Sequence, residues 1–441
     1  MAANDCNPMI QKLAHRLPFY YGWVVIAVAF VTMAIGVNSR TAFSLLMPPI
    51  LTEFGWNRSV VAGAFSFGFL ISAFGSPVLG KLVDVKGPKL MAQIGVACVS
   101  LGLYLATLTT QAWHLYFTLG VLIGVGSVCL GYSGQSIYLP NWFVQRRGLA
   151  MGIAFSGVGI GSIVLLPWMQ VMISANGWRH ACLMLATVVL VIGLPMTFLL
   201  AKKPQDLGLL PDGAEQPVEG AKKAAPKTNI VDPKWASIEW TLMRALRTKR
   251  FWWLAAANFC TMYAWYAVQV HQTKYLVEVG FSAKDAAWAL GAVSLAGIPG
   301  QIALGHLSDR IGREIVWTIS NIGFVATYLA LLALSTGTSM PMLYFMILMQ
   351  GVLGYGVTSV FGAIPAEIFE GKNYGSIFGF LMVIAISGGA IGPWLTGLLF
   401  DHLGNYVVAY WIAIGCSAFS CLAMFYASPG KVRAVAGRIS S

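Results

Sequence analysis

Twelve runs of roughly 20 apolar residues, beginning near Tyr21, Ser59, Leu90, Trp113, Leu149, Ala181, Phe251, Ala286, Ile315, Met342, Ser376 and Val407, leave this chain few ways to fold. Each run is long enough to cross a bilayer. In hydrocarbon no water is available to bond the backbone, so each run must satisfy its own N–H and C=O groups as a helix. Only 10% of the residues are charged, against about 25% in soluble domains. The expected fold class is an all-α membrane protein.

The twelve runs divide into six plus six, because the chain repeats. Leu51, Glu53 and Gly55 return 225 residues later as Leu276, Glu278 and Gly280, and Gly80, Asp84 and Gly87 return at the same offset as Gly305, Asp309 and Gly312. Spans 4 and 10 match as well, with Tyr116, Phe117, Gly126 and Gly134 answered by Tyr344, Phe345, Gly354 and Gly362. Two pseudo-symmetric six-helix bundles follow, at 1–200 and 251–441, with the seam between them as the expected place for a solute. Residues 201–250 turn to Lys, Pro, Asp and Glu, including KKPQDLGLLPDG and EQPVEGAKKAAPK. They read as a linker unable to bury enough apolar area to order itself.

Lys and Arg set the orientation. With the amino terminus inside, 23 of the 28 fall in loops or tails on one side, leaving Arg40, Arg58, Arg179, Lys274 and Lys284. This positive-inside bias puts both termini in the cytoplasm. The first run lacks a short apolar core and a cleavage site, so the amino terminus is expected to stay attached, and short loops suggest a bacterial inner membrane. The net charge of +12 lies beside membrane spans, where topology and anionic lipid account for it without nucleic acid. Seven cysteines fall mostly inside spans, without metal spacing. The other loops leave no room for a nucleotide-binding or catalytic domain, and HExxH and GxSxG are absent. No enzyme activity, cofactor or metal is expected, and the chain is read as a monomer.

The segments GKLVDVKGPK (80–89) and GHLSDRIGRE (305–314) each place glycine, an acid four residues on, then glycine with basic residues, at a cytoplasmic helix end. The acid can accept hydrogen bonds from a neighbouring helix start, and cations such as Arg310 can pair across the seam, holding an inner gate shut in one state. Glycines at 148, 152, 157, 159 and 161 before Pro167, and at 375, 379, 388, 389 and 392 before Pro393, allow close and flexible helix packing. With these motifs the chain resembles the major facilitator superfamily over nearly its whole length. Within it, Tyr21-Gly22-Trp23, Phe54-Gly55-Trp56, NWFVQRRGLAMGIAFSGVGIG at 141–161, Gly177-Trp178-Arg179 and GLLPDG at 208–213 are similar to the monocarboxylate porter and oxalate/formate exchanger group. That resemblance implies the major facilitator fold and secondary transport by alternating access. It also implies a basic residue in span 8 or a Lys in span 11, and neither 286–305 nor 376–400 contains one. Lactate or oxalate specificity therefore does not carry over.

Arg40 stands eleven residues before Leu51, about 16 Å along a helix and near the middle of a roughly 30 Å core. A central Arg is costly and usually faces a cavity or a partner. No Asp or Glu occupies the middle of a span to balance it: Glu367 is near an inner end, and Glu53, Glu278 and Asp285 are near outer ends. Its forked donors fit a carboxylate, so the expected substrate is a small organic anion. Asn258, Thr261, Trp265, Gln269 and Gln272 form a polar stripe along span 7, and Trp265 is the repeat counterpart of Arg40. Tyr132 and Gln135 in span 4 and Tyr355 and Ser359 in span 10 can hydrogen-bond a ligand. Lys274 is expected to snorkel towards the interface. With no buried carboxylate available, a coupled proton would ride on His271, whose unperturbed titration falls near neutrality, or on the substrate itself. Expected is a proton-coupled porter for an organic anion, with membrane lipid and protons as partners. The alternatives are an anion exchanger, a porter for neutral solutes or drugs, and a ligand sensor that moves nothing.

Overall fold

The computed structural model describes residues 8–56, 58–214 and 229–438. Two compact units divide it, Met1–Thr228 and Asn229–Ser441. In the first, the spans are α1 (Gly22–Phe54), α2 (Arg58–Lys86), α3 (Pro88–Ala106), α4 (Ala112–Asn141), α5 (Arg147–Asn176) and α6 (Trp178–Thr197). In the second they are α7 (Lys249–Glu278), α8 (Ala283–Ile311), α9 (Arg313–Leu334), α10 (Met340–Ile368), α11 (Tyr374–Leu403) and α12 (Val407–Ala427). Eleven of these segments are apolar enough to cross a membrane by composition. The exception is α7, a 30-residue helix whose stripe from Asn258 to Gln272, with its Trp and Tyr residues, lowers its hydropathy.

The repeat is visible inside each unit. In the first, α1 packs on α5, α2 and α3 on α4, and α3 on α6. In the second, α7 packs on α11, α8 and α9 on α10, and α9 on α12. The glycines explain the α1–α5 and α7–α11 pairs. A Cβ at Gly161 would stand 2.6 Å from the Ala34 carbonyl oxygen, and one at Gly392 would stand 2.6 Å from that of Tyr263. Gly157 and Gly388, one turn earlier, meet Phe30 and Phe259 in the same way. Bare backbone lets these helices touch along a full turn.

Breaks in the helices fall where the sequence weakens them. In α1, Pro48 and Pro49 lack the N–H groups that would bond carbonyls four residues earlier, and the helix is interrupted at Ala42, two residues after Arg40. Both α4 and α10 contain a π-helical turn, at Tyr116–Leu122 and Met349–Leu353. Gly87 (φ +82°) and Gly312 (φ +110°) start α3 and α9. Their left-handed backbone folds one helix back onto the next, which is why the loop motif needs glycine there.

Segments read from composition as linker are held by the units. Within 201–214, Pro204 and Leu207 are buried, and Asp212 accepts backbone N–H bonds from Val144 (2.9 Å), Gln145 (2.9 Å) and Arg146 (3.3 Å) ahead of α5. In the second unit, Trp240 is buried and Trp235 donates to the Ile368 carbonyl at 2.8 Å. The expectation that KKPQDLGLLPDG lacks order is thus corrected: it does not fold by itself but docks, because its apolar and capping groups find partners elsewhere. EQPVEGAKKAAPK lies outside the described residues.

Candidate functional site

Arg40 is half-buried on α1. Its guanidinium carbon lies over the ring of Phe69 of α2, 3.4 Å from the centroid, with Phe65 at 5.5 Å. Nη1 makes a long bond, 3.5 Å, to the Ser72 hydroxyl. That hydroxyl is itself fixed between the carbonyls of Gly68 (2.7 Å) and Gly124 (3.1 Å). Phe65 stacks on Phe43 and meets Phe69 edge-on, at 5.3 and 5.2 Å. An aromatic wall of this kind lets a guanidinium sit at membrane depth through cation–π attraction while its N–H edge stays directional. Phe65, Phe69 and Ser72 were not singled out in the sequence. Their four- and three-residue spacing on α2 is the one signal that could have found them.

The counterpart in the second unit is aromatic. Trp265 packs 4.5 Å from Tyr355 and 5.6 Å from Phe324, and its indole donates to Gln269 Oε1 at 2.7 Å. Gly297 stands 225 residues after Ser72, and a Cβ there would meet the Tyr355 ring at 2.7 Å. The space that holds a hydroxyl beside Arg40 in one unit is thus filled by a tyrosine ring beside Trp265 in the other. His271 Nε2 donates to the Pro393 carbonyl at 2.9 Å, and its ring lies 5.6 Å from Tyr406. Tyr132 packs edge-on against Phe155 at 5.1 Å.

Three predicted ligand residues are committed to bonds within their own unit, Gln135 between two spans and Asn258 and Ser359 within their own helices. Gln135 is fully buried and donates to Thr32 and to the Leu130 carbonyl, both at 3.1 Å, while Tyr138 donates to it. It thereby satisfies a carbonyl beside the break of α4 at Gly131. Asn258 donates to the Leu254 carbonyl and Ser359 to that of Gly356, both residues fully buried. Thr261 joins Asn321 (3.0 Å) and Ser420 (2.7 Å), a polar knot among α7, α9 and α12. Buried polar side chains in a bundle take such bonds first, since leaving them unmade is expensive. Lys274 lies over Phe400 and 3.7 Å from Glu278.

The loop motifs are built around cations. Arg313, fully buried, pairs with Asp309 at 2.6 Å and with Glu367 at 2.9 Å, and donates to Ser308. Arg433, following α12, donates to the Glu367 carbonyl at 2.6 Å. Arg310 is exposed in the last turn of α8, with Gly305 buried five residues before it and Gly312 just past the helix end. In the first unit the Asp84 carbonyl accepts from Lys202, whose stem packs on Gly87, with Gly80 buried on the last turns of α2. Asp309 and Arg313 were within the quoted motif, but the pairing with Glu367 required α10 to be brought to α9.

The other sequence motifs meet in pairs. Trp23 packs on Phe143 at 5.1 Å and Tyr20 donates to the Trp142 carbonyl at 2.9 Å, so the start of α1 is joined to NWFVQRRG and, through Asp212, to GLLPDG. Burial and the Asp212 carboxylate push the Tyr20 phenol above its ordinary range, which keeps it a neutral donor. At the opposite end of the unit, Arg179 pairs with Glu53 at 2.6 Å and donates to the Thr107 and Thr109 carbonyls, while Trp178 donates to Glu53 at 2.7 Å. Phe54 stacks on Trp56 at 4.3 Å beside them.

Comparison with known proteins agrees with this architecture. Monocarboxylate transporter 13 of Rattus norvegicus is 27% identical over 404 residues, covering 89% of this chain and 86% of that protein. Monocarboxylate transporter 12 of the same species is 27% identical over 435 residues, covering 93% and 86%. Among solved structures, the proton:xylose symporter XylE aligns with a TM-score of 0.73 at 14% identity, covering 94% of this chain and 98% of that one. FucP in its outward conformation aligns with a TM-score of 0.66 at 18% identity, covering 92% and 99%. The family model described as Major Facilitator Superfamily matches residues 24–284 and 254–440, and together with the twelve-helix, two-unit architecture this makes the chain a multi-pass membrane transporter belonging to the major facilitator superfamily.

Proposed function

We propose that this transporter carries a small organic monoanion of the monocarboxylate class, and that Arg40 is its anchor. The observation that supports this most directly is the mid-span guanidinium laid on Phe69 with its donor edge steadied by Ser72. Such a group is complementary to a carboxylate, which it can take in two parallel bonds. The relatives named as monocarboxylate transporters point to the same substrate class. Within the second unit, Trp265, Gln269 and Tyr355 group apolar area around one amide; Gln135, Asn258 and Ser359 are spent on bonds within their own units.

Bringing a monoanion into a negative interior costs about 2.3 kcal/mol per 100 mV, so we further propose proton cotransport. His271 is the side chain offered for the proton. Its Nε2 is committed to the Pro393 carbonyl, which leaves Nδ1 to take up and release the proton without breaking that bond.

Thermal unfolding of the purified protein tests the substrate class. A ligand that binds only the folded state raises the melting temperature. Aliphatic and aromatic monocarboxylates are expected to raise it in the parent and not in Arg40→Gln, with Arg40→Lys intermediate because an ammonium cannot form the bidentate pair. Stabilisation by neutral amides or organic cations, or an unchanged response to acids in Arg40→Gln, would overturn the assignment. In proteoliposomes, uptake driven by an inward proton gradient is expected in the parent. His271→Gln is expected to lose the pH dependence, and retaining it in full removes His271 from the scheme.

A further inference from the structure

We infer that the short helix ahead of the first span, α13 by order of introduction (Pro8–Arg16), forms with the α6 exit a docking surface for anionic phospholipid headgroups. Its nine residues, PMIQKLAHR, carry two kinds of side chain on different faces. Ile10 and Ala14, four residues apart, are buried, and the helix rests on the turn Pro204–Leu207, whose Pro204 and Leu207 are buried as well. This contact fixes the rotation of the helix. At 100° per residue, Lys12, Leu13 and Arg16 then fall together on the outward flank, and all three are exposed.

The flank cannot drift far from the bilayer. Phe19, half-exposed at 50%, stands three residues before the first residue of α1, so it is tied covalently to the level at which the chain enters the membrane. Leu13, 37% exposed, lies six residues before it, in the last turn of the helix. Lys203 projects from the same neighbourhood at the exit of α6. Lys89, in the first turn of α3, is drawn over the exposed Phe198 ring at 4.9 Å. Among the described residues the carboxylate paired with one of these cations is Asp206, 3.9 Å from Lys203, so positive charge prevails there. Basic groups interleaved with exposed Leu and Phe, on a helix lying beside a membrane entry point, match an interface of anionic headgroup and acyl chain. A soluble anion would use the charges and leave the apolar side chains without purpose.

The test uses the full chain in detergent, with retained lipid counted by native mass spectrometry after adding phosphatidylglycerol or phosphatidylcholine. Phosphatidylglycerol is expected to be retained preferentially. The exposed pair Lys12→Gln with Arg16→Gln is expected to weaken that retention at least tenfold, since each interfacial charge contributes roughly fivefold. The charge-preserving pair Lys12→Arg with Arg16→Lys is expected to leave it unchanged, which separates lost charge from lost folding. Leu13→Gln with Phe19→Gln is expected to reduce retention of both lipids. Equal retention of the two lipids overturns the proposal, as does phosphatidylglycerol retention unaffected by Lys12→Gln with Arg16→Gln. Displacement by glycerol 3-phosphate would make the site one for free phosphate and overturn it likewise.

Discussion

Arg313 shows what single residues demand of this fold. A fully buried guanidinium is tolerated because Asp309 and Glu367 both reach it. Glu367→Ala is expected to cost about 3 to 5 kcal/mol, because it strips a buried cation of a partner, and a large drop in melting temperature would register it. Asp212 makes a smaller, local contribution. Asp212→Ala, which removes the acceptor for three N–H groups ahead of α5, is expected to cost about 1 kcal/mol, with Asp212→Asn retaining most of the cap. Arg40 was legible in the sequence as a base far from any span end. Its aromatic wall was not, because Phe65 and Phe69 gain meaning only once the facing sides of α1 and α2 are known. The same holds for Gln135, which reads as a ligand residue until the break at Gly131 shows which carbonyl it serves.

At the scale of elements, paired glycines at four-residue spacing set the α1–α5 and α7–α11 contacts. Gly161→Ala and Gly392→Ala are each expected to destabilise by about 1 to 3 kcal/mol, since backbone that cannot rotate aside stands in the way at both, joined at Gly161 by the Asn38 amide. Gly415→Ala, on α12 with open space around it, serves as the control and is expected to be neutral or slightly stabilising. Thermal unfolding of the three variants in one detergent makes the comparison. Equal effects at all three would mean that backbone contact is not what these glycines provide. The sequence showed that both halves carry such glycines; which helix they admit was decided by packing. The π-turn of α10 and the adjoining 3-10 turn at Gly354–Gly356 were not announced by the sequence.

For the whole molecule, the bias of Lys and Arg makes a topological prediction. In sealed cells, a cysteine at exposed Asp401 is expected to react with an impermeant maleimide from outside, and one at Lys203 only after permeabilisation. The reverse pattern would invert the chain in the membrane. The number of spans, the duplication and the membrane class were determined by sequence alone, because the cost of an unbonded backbone in hydrocarbon leaves apolar runs one local solution each. Loop glycines were likewise readable, since a left-handed turn excludes most other residues. Tertiary structure decided the rest: that 201–214 docks instead of standing free, that Gln135 joins α4 to α1 and Thr261 joins α7 to α9 and α12, and that Arg40 lies on Phe69. These outcomes depend on which faces of separate helices meet, and side-chain bonds and ring contacts a few ångströms long are made only after those faces have been chosen by packing.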